Sequence, residues 1–224
     1  KKIEVVQHFA SPNKPNVGED NSLNAKRRLR LYGKTVALFF GYIRPDKGIE
    51  YVLYSLPDVI RIFPNVIFSV VGKAQPNYHA YFDFIQRLVD KLELSQYVRF
   101  ENYVPEELLP VFFTAADVVI FPYTSTIGRT PIAHLNVASH GKPIIATNID
   151  CFEKDFTDHE NAILIPPKNP DALSKSIIEV FADPTLSNRL SINVTKYCSQ
   201  RSLEKAISHI LEIYHDVLER KQGY

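Results

Sequence analysis

The chain has 224 residues, 45% hydrophobic and 23% charged, so it is long enough to bury a core and has the make-up of an ordinary globular α/β domain. Its formal charge of +1 gives no electrostatic ground for nucleic acid or a membrane surface as partner. Cys151 and Cys198 lack metal or redox spacing and read as reduced thiols of a cytoplasmic protein, and no apolar run reaches the roughly 18 residues of a membrane span.

Residues 1–34 read as a preamble. Lys2 to Val6 suits a short strand, and residues 12–24, rich in Pro, Gly and Asn, suit a loop. Residues 25–33 suit a short basic helix ending at Gly33. Its Lys26, Arg27, Arg28 and Arg30, with Lys34 beyond, lack interleaved aromatics and read as a solvated face. No methionine is present, not even at the start. That reads as a fragment or processed chain, or as one whose modified methionines have dropped out.

A regular alternation follows. Residues 35–40 are a continuous apolar run ending at Gly41, as in a strand buried on both faces. Similar runs at 66–72, 98–103, 117–121, 142–146 and 162–165 predict five more strands. Helical spacing occupies 47–62, 78–93, 105–116, 131–140, 170–182, 184–192 and 201–219. Strands alternating with helices predict a doubly wound parallel sheet of Rossmann-like type. Ligands of such sheets bind beyond the carboxyl ends of the strands, near the point where strand order reverses.

Four constellations lie at those ends. In Gly41-Tyr42-Ile43-Arg44-Pro45-Asp46-Lys47-Gly48, two cations precede a helix, which suits a diphosphate, and Asp46 is placed to cap that helix. In Thr126-Ile127-Gly128-Arg129-Thr130-Pro131, Thr130 suits an N-cap, Pro131 the first helical position and Gly128 a close backbone approach, with Arg129 as counter-charge. The nearly uncharged helix that this loop opens carries Asn136, whose partners are either ribose hydroxyls or backbone carbonyls. Its His134 and His140 read as satisfied structural histidines. Finally, Tyr103 follows Asn102 at a strand end and is placed either to flank a base or to fill the core. No dinucleotide, NTPase or nucleophile-elbow motif occurs, and no cluster has zinc spacing.

Taken in order, these pieces resemble the C-terminal domain of family 4 (group 1) glycosyltransferases, one half of the two-domain GT-B architecture. The carrying stretches are Phe39-Phe40-Gly41 through Lys47-Gly48, Val70-Val71-Gly72, Val98 to Pro105, Ala115 to Pro122, Gly141 to Thr147 and Asn161 to Pro167. The resemblance implies a domain over 35–200, an interdomain linker or edge segment at 1–34, and a last helix at 201–224 that returns toward an N-terminal acceptor domain. It implies that the donor is a nucleotide diphosphate sugar, UDP- or GDP-linked, bound without cofactor or metal. Hexose transfer to a glycan, lipid or other acceptor, with retention, is the implied reaction. Lys47 takes the family's diphosphate-gripping position, and Arg44 substitutes for an Arg whose place holds Tyr42. Gly72 lines the donor cleft, and the strand at Asn102-Tyr103-Val104 meets the base. Membrane contact comes only through the N-terminal half.

The chain departs from the family at its paired glutamates. Their positions fall on Gly128 and Asn136, so no carboxylate is assigned to the sugar and no catalytic residue is named. Two alternatives therefore stay open: a degenerate GT-B module used for binding, and a nucleotide-sugar epimerase of the same architecture.

Overall fold

A computed structural model describes residues 21–125 and 133–222. The elements over 1–20, including the short strand expected at 2–6, and the loop at 126–132 lie outside the described residues. Six parallel strands form one sheet: β1 (Thr35–Phe40), β2 (Val66–Val71), β3 (Val98–Asn102), β4 (Val118–Phe121), β5 (Ile144–Thr147) and β6 (Ile163–Ile165), in the order β3-β2-β1-β4-β5-β6. The order reverses between β1 and β4. The chain therefore leaves β1 in one direction and later returns beside it, opening a crevice at the carboxyl ends of these two strands.

The apolar runs form strands because both faces are covered. Every residue of β2, β4 and β5 is buried, as are Val36 to Phe39 of β1. The helices are α1 (Ser22–Arg28), α2 (Ile49–Ile62), α3 (His79–Lys91), α4 (Leu109–Ala115), α5 (Ala133–Ala138), α6 (Asp150–Glu153), α7 (Pro170–Ala182), α8 (Pro184–Ser199) and α9 (Leu203–Gln222). Helix α2 buries Ile49, Val52, Leu53, Leu56 and Val59, one stripe at helical spacing, and packs on α3 and α7. Helix α1 packs on α4, and α5 packs on α8.

Several expectations change at this level, among them the helix expected at 184–192, which runs on to Ser199 as α8. Helix α1 starts at Ser22 and ends at Arg28, rather than running over 25–33, because the Asn21 side chain accepts the Asn24 N–H at 3.0 Å and caps it early. Lys26 does not point to solvent. Its ammonium lies 2.7 and 2.9 Å from the Asp117 carboxylate, which also accepts the Val36 N–H at 2.7 Å and so fastens α1 to the starts of β1 and β4. The expected helix over 105–116 divides into a 3-10 turn at Glu106–Leu108 and then α4.

Helix α9 differs from the others. Ile207, Ile210, Leu211, Tyr214, Val217 and Leu218 recur at helical spacing, and all are exposed. No helix among the described residues is long and apolar enough to cross a membrane.

Candidate donor cleft at the switch point

The floor of the crevice is built by two glycines. Gly41 ends β1 at φ +146° and Gly72 follows β2 at φ +148°, a conformation that side chains resist. A Cβ on Gly72 would lie 1.9 Å from the Gly41 carbonyl oxygen. The two strand ends thus touch through bare backbone, held by Gly41 N–H to Val71 O and Gly72 N–H to Asn102 O, both 3.0 Å. Beyond them, Ile43 N–H donates to Lys73 O at 3.1 Å.

The wall is the segment from Arg44 to Gly48. Arg44 is extended, Pro45–Lys47 form a 3-10 turn, and Gly48 turns left-handed at φ +65° before α2 begins. That turn corrects the expectation for Asp46. Gly48 is the N-cap residue of α2, and Asp46 makes no cap bond to it. Instead the Asp46 carboxylate, buried, takes Arg44 Nε at 2.9 Å and Arg44 Nη2 at 2.7 Å, with Lys47 Nζ 3.5 Å from Oδ2. The wall is braced against β4. Thr124 N–H donates to Asp46 O at 2.9 Å, and a Cβ on Gly48 would stand 2.1 Å from Pro122 O.

Lys47 reaches the reversal point itself. Its ammonium lies 3.5 Å from the ring centroid of buried Tyr123, just past β4, a cation–π contact. Burial lowers the Lys47 pKa, against the attraction of Asp46. The hydrogen bond to Asp46 raises that of Arg44. Burial raises the Tyr123 phenol and pushes the neighbouring Cys151 thiol up to about 11, which disfavours its thiolate form.

Gly41, Arg44, Lys47, Gly72, Asn102 and Tyr103 thus gather at the carboxyl ends of β1, β2 and β3. Tyr103 is 69% exposed, with Lys73 Nζ 5.4 Å from its ring centroid, so it belongs to the surface and not to the core. Asn102 takes a positive φ of 53° where the β2–β3 register shifts. Asn136 is half-buried on α5, and its carbonyl accepts Ser139 Oγ at 2.7 Å and His140 Nδ1 at 3.0 Å. Gly128, Arg129 and Thr130 lie outside the described residues.

The histidines are only half satisfied. His134 is fully buried, and its Nε2 lies 2.9 Å from Asp155 Oδ2, yet Nδ1 has no partner. His140 likewise leaves Nε2 unpaired. Arg201 reaches the other Asp155 oxygen at 3.3 Å. Burial opposes charge on Asp155, but its contacts with His134 and Tyr197 and the nearby Arg201 charge outweigh it and lower the carboxyl pKa. This network ties α5 to the segment after α6 and to the end of α8. Among the described residues no group of His, Cys, Asp and Glu is placed to hold a metal ion.

Tyr123 is the site residue that sequence reasoning missed. Only the strand end just before it, marked by Pro122, pointed there.

A family model described as "Glycosyl transferases group 1" matches residues 22–197, well over half of the chain. A D-inositol 3-phosphate glycosyltransferase of Streptomyces bingchenggensis is 24% identical over 211 residues, 92% of this chain and 45% of that protein. A phosphatidyl-myo-inositol mannosyltransferase of Mycobacterium leprae is 26% identical over 91% of this chain and 53% of its own length. The chain spans about half the length of the curated relatives it matches. Among solved structures, Anabaena HepE in complex with UDP aligns with a TM-score of 0.80 at 19% identity, over 87% of this chain and 52% of that one. The C-terminal domain of the Francisella tularensis group 1 glycosyl transferase LpcC aligns with a TM-score of 0.75 at 18% identity, over 83% of this chain and 95% of that one. At these identities the likeness shows the fold, a Rossmann-like half of a GT-B protein.

Proposed function

The chain belongs to the group 1 glycosyltransferases, and from that membership we propose that it binds a nucleotide diphosphate sugar at the β1–β4 crevice. The observation that carries the reading is the pairing of Arg44 with a largely buried Lys47 at the switch point, above a floor of bare glycine backbone. Cations there meet the diphosphate, and charge that builds on it as the sugar leaves is stabilised in a site with little water to compete. Side-chain cations do this without a metal or other cofactor. Tyr103, exposed beside Lys73, offers a ring face to a uracil or guanine base. HepE is a structural neighbour seen with UDP, which makes UDP the first ligand to test.

The full reaction, hexose transfer with retention to a glycan, lipid or other acceptor, needs a second, N-terminal domain in this reading. The exposed apolar stripe of α9 supports such a partner, because a lone helix does not keep a face of this kind in water without one. The whole enzyme would work in the cytoplasm, peripheral to a membrane if the acceptor is a lipid. A binding-only module is the second reading, favoured by the absence of Glu at positions 128 and 136. Calorimetric titration with UDP and GDP tests the first proposal. A folded chain that takes up neither at millimolar ligand refutes it. Donor binding with no transfer by the two-domain protein selects the second reading.

A further inference from the structure

Arg44 and Lys47 already share a counter-ion. Asp46 is buried, both of its carboxylate oxygens are on Arg44, and one is also 3.5 Å from Lys47. Its carbonyl, anchored by Thr124 N–H, keeps the residue from swinging away. We propose that Asp46 is a built-in stand-in for the donor's diphosphate and sets which anions the site accepts. This rests on the donor-binding reading and goes beyond it.

The argument is one of charge and reach. Two cations and one carboxylate leave the cluster with a net single positive charge. Arg44 has five N–H donors and gives two of them to Asp46, and part of its side chain remains open to solvent. A single phosphate drawn to one cation meets the fixed negative charge of Asp46 close by. A diphosphate spans both cations, keeps its charge on the outer side and gains enough to offset the repulsion. The carboxylate therefore weakens all anions, and single phosphates most. It also keeps the spent diphosphate from being held too tightly to leave.

The test is Asp46→Asn in the 224-residue chain, which keeps the shape and one acceptor oxygen but removes the charge. UDP, uridine monophosphate and inorganic pyrophosphate are titrated against both forms. The variant should bind UDP at least about tenfold more tightly, with a larger gain for the monophosphate, as expected for removal of a like charge at a site of low effective dielectric. Unchanged or weaker UDP binding by a folded variant overturns the proposal, because a carboxylate that competes with the diphosphate for both cations must weaken it while present. If the unaltered chain binds pyrophosphate but no nucleoside diphosphate, the donor reading fails, and Asp46 is judged on pyrophosphate alone. Binding of nothing by either form overturns both. A readout on the unaltered chain covers the case of a variant that does not fold. The Arg44 Nε–H resonance should shift when pyrophosphate saturates the site, as the guanidinium divides itself between two anions. A resonance that stays in place overturns the proposal.

Discussion

Replacing Gly72 by alanine tests whether the crevice floor is as tight as its geometry. The new Cβ would stand 1.9 Å from Gly41 O. An ordinary carbon–oxygen contact lies near ~3.3 Å, so the strand ends must part by roughly 1.4 Å. The neighbour is backbone and cannot rotate aside. Parting the strands breaks or stretches the bonds from Gly41 N–H and Gly72 N–H, at about 1 kcal/mol each. Alanine at φ +148° adds roughly 1–3 kcal/mol of backbone strain. The sum is about 3–5 kcal/mol, a fall in midpoint on the order of 10 °C for a chain of this size. Thermal denaturation followed by circular dichroism reads it. Gly33→Ala is the control, since Gly33 also has a positive φ of 74° but nothing within 4 Å of a new Cβ. It should cost only about 1–2 kcal/mol. Equal midpoint shifts for the two variants would refute the claim that close approach, rather than φ alone, requires glycine at 72.

Other substitutions separate binding from stability. Lys47→Met removes the ammonium that lies over Tyr123 together with a charge that burial disfavours, so the lost cation–π contact and the relieved desolvation should largely offset each other in the free chain. UDP affinity, read by calorimetry, should fall by about 2 kcal/mol, the worth of a charge-assisted contact. Tyr103→Ala should leave the midpoint within about 1 °C, because the ring is largely exposed, and should weaken UDP by roughly 1–3 kcal/mol if the base stacks on it. Asp155 has a carboxyl pKa lowered by folding, so its contribution is present above the unfolded-state pKa and is lost as pH falls through the folded-state value. Asp155→Asn should therefore cost about 2 kcal/mol in urea denaturation at neutral pH, and the difference from the unaltered chain should shrink at low pH.

The strands were legible because burial on both faces leaves an unbroken apolar run, and their alternation with helices then predicted a doubly wound parallel sheet but not the order of its strands. The edges of the elements were less legible. The α1 cap depends on Asn21, a residue equally at home in a loop, and short α6 is a single turn after a strand with no period to detect. Asp46 is the instructive failure. An Asp just before a helix ordinarily caps it, but here left-handed Gly48 stands between them and takes the cap position. The carboxylate is thereby released to the cation two residues behind and the one beside it. Lys26 misled for a different reason, since its partner Asp117 is far along the chain.

That distance also explains why Tyr123 carried no signal. Its contact with Lys47 exists only because β4 lies beside β1, and the sheet reaches β4 after two intervening strands have been laid on the other side of β1. The cleft thus has two parts with different origins. The two cations of the wall, Arg44 and Lys47, sit three residues apart and were visible in sequence, whereas the pairing of Asp46 with them was not. The brace behind them, Pro122, Tyr123 and Thr124, is supplied by the reversal of strand order. The positions without glutamate fall at Gly128, outside the described residues, and at Asn136 on α5. The absence of carboxylates there leaves the Arg44–Asp46–Lys47 wall in place. Under the proposed reading, the diphosphate site and the handling of the sugar are separable in a chain built this way, so binding and transfer must be measured separately.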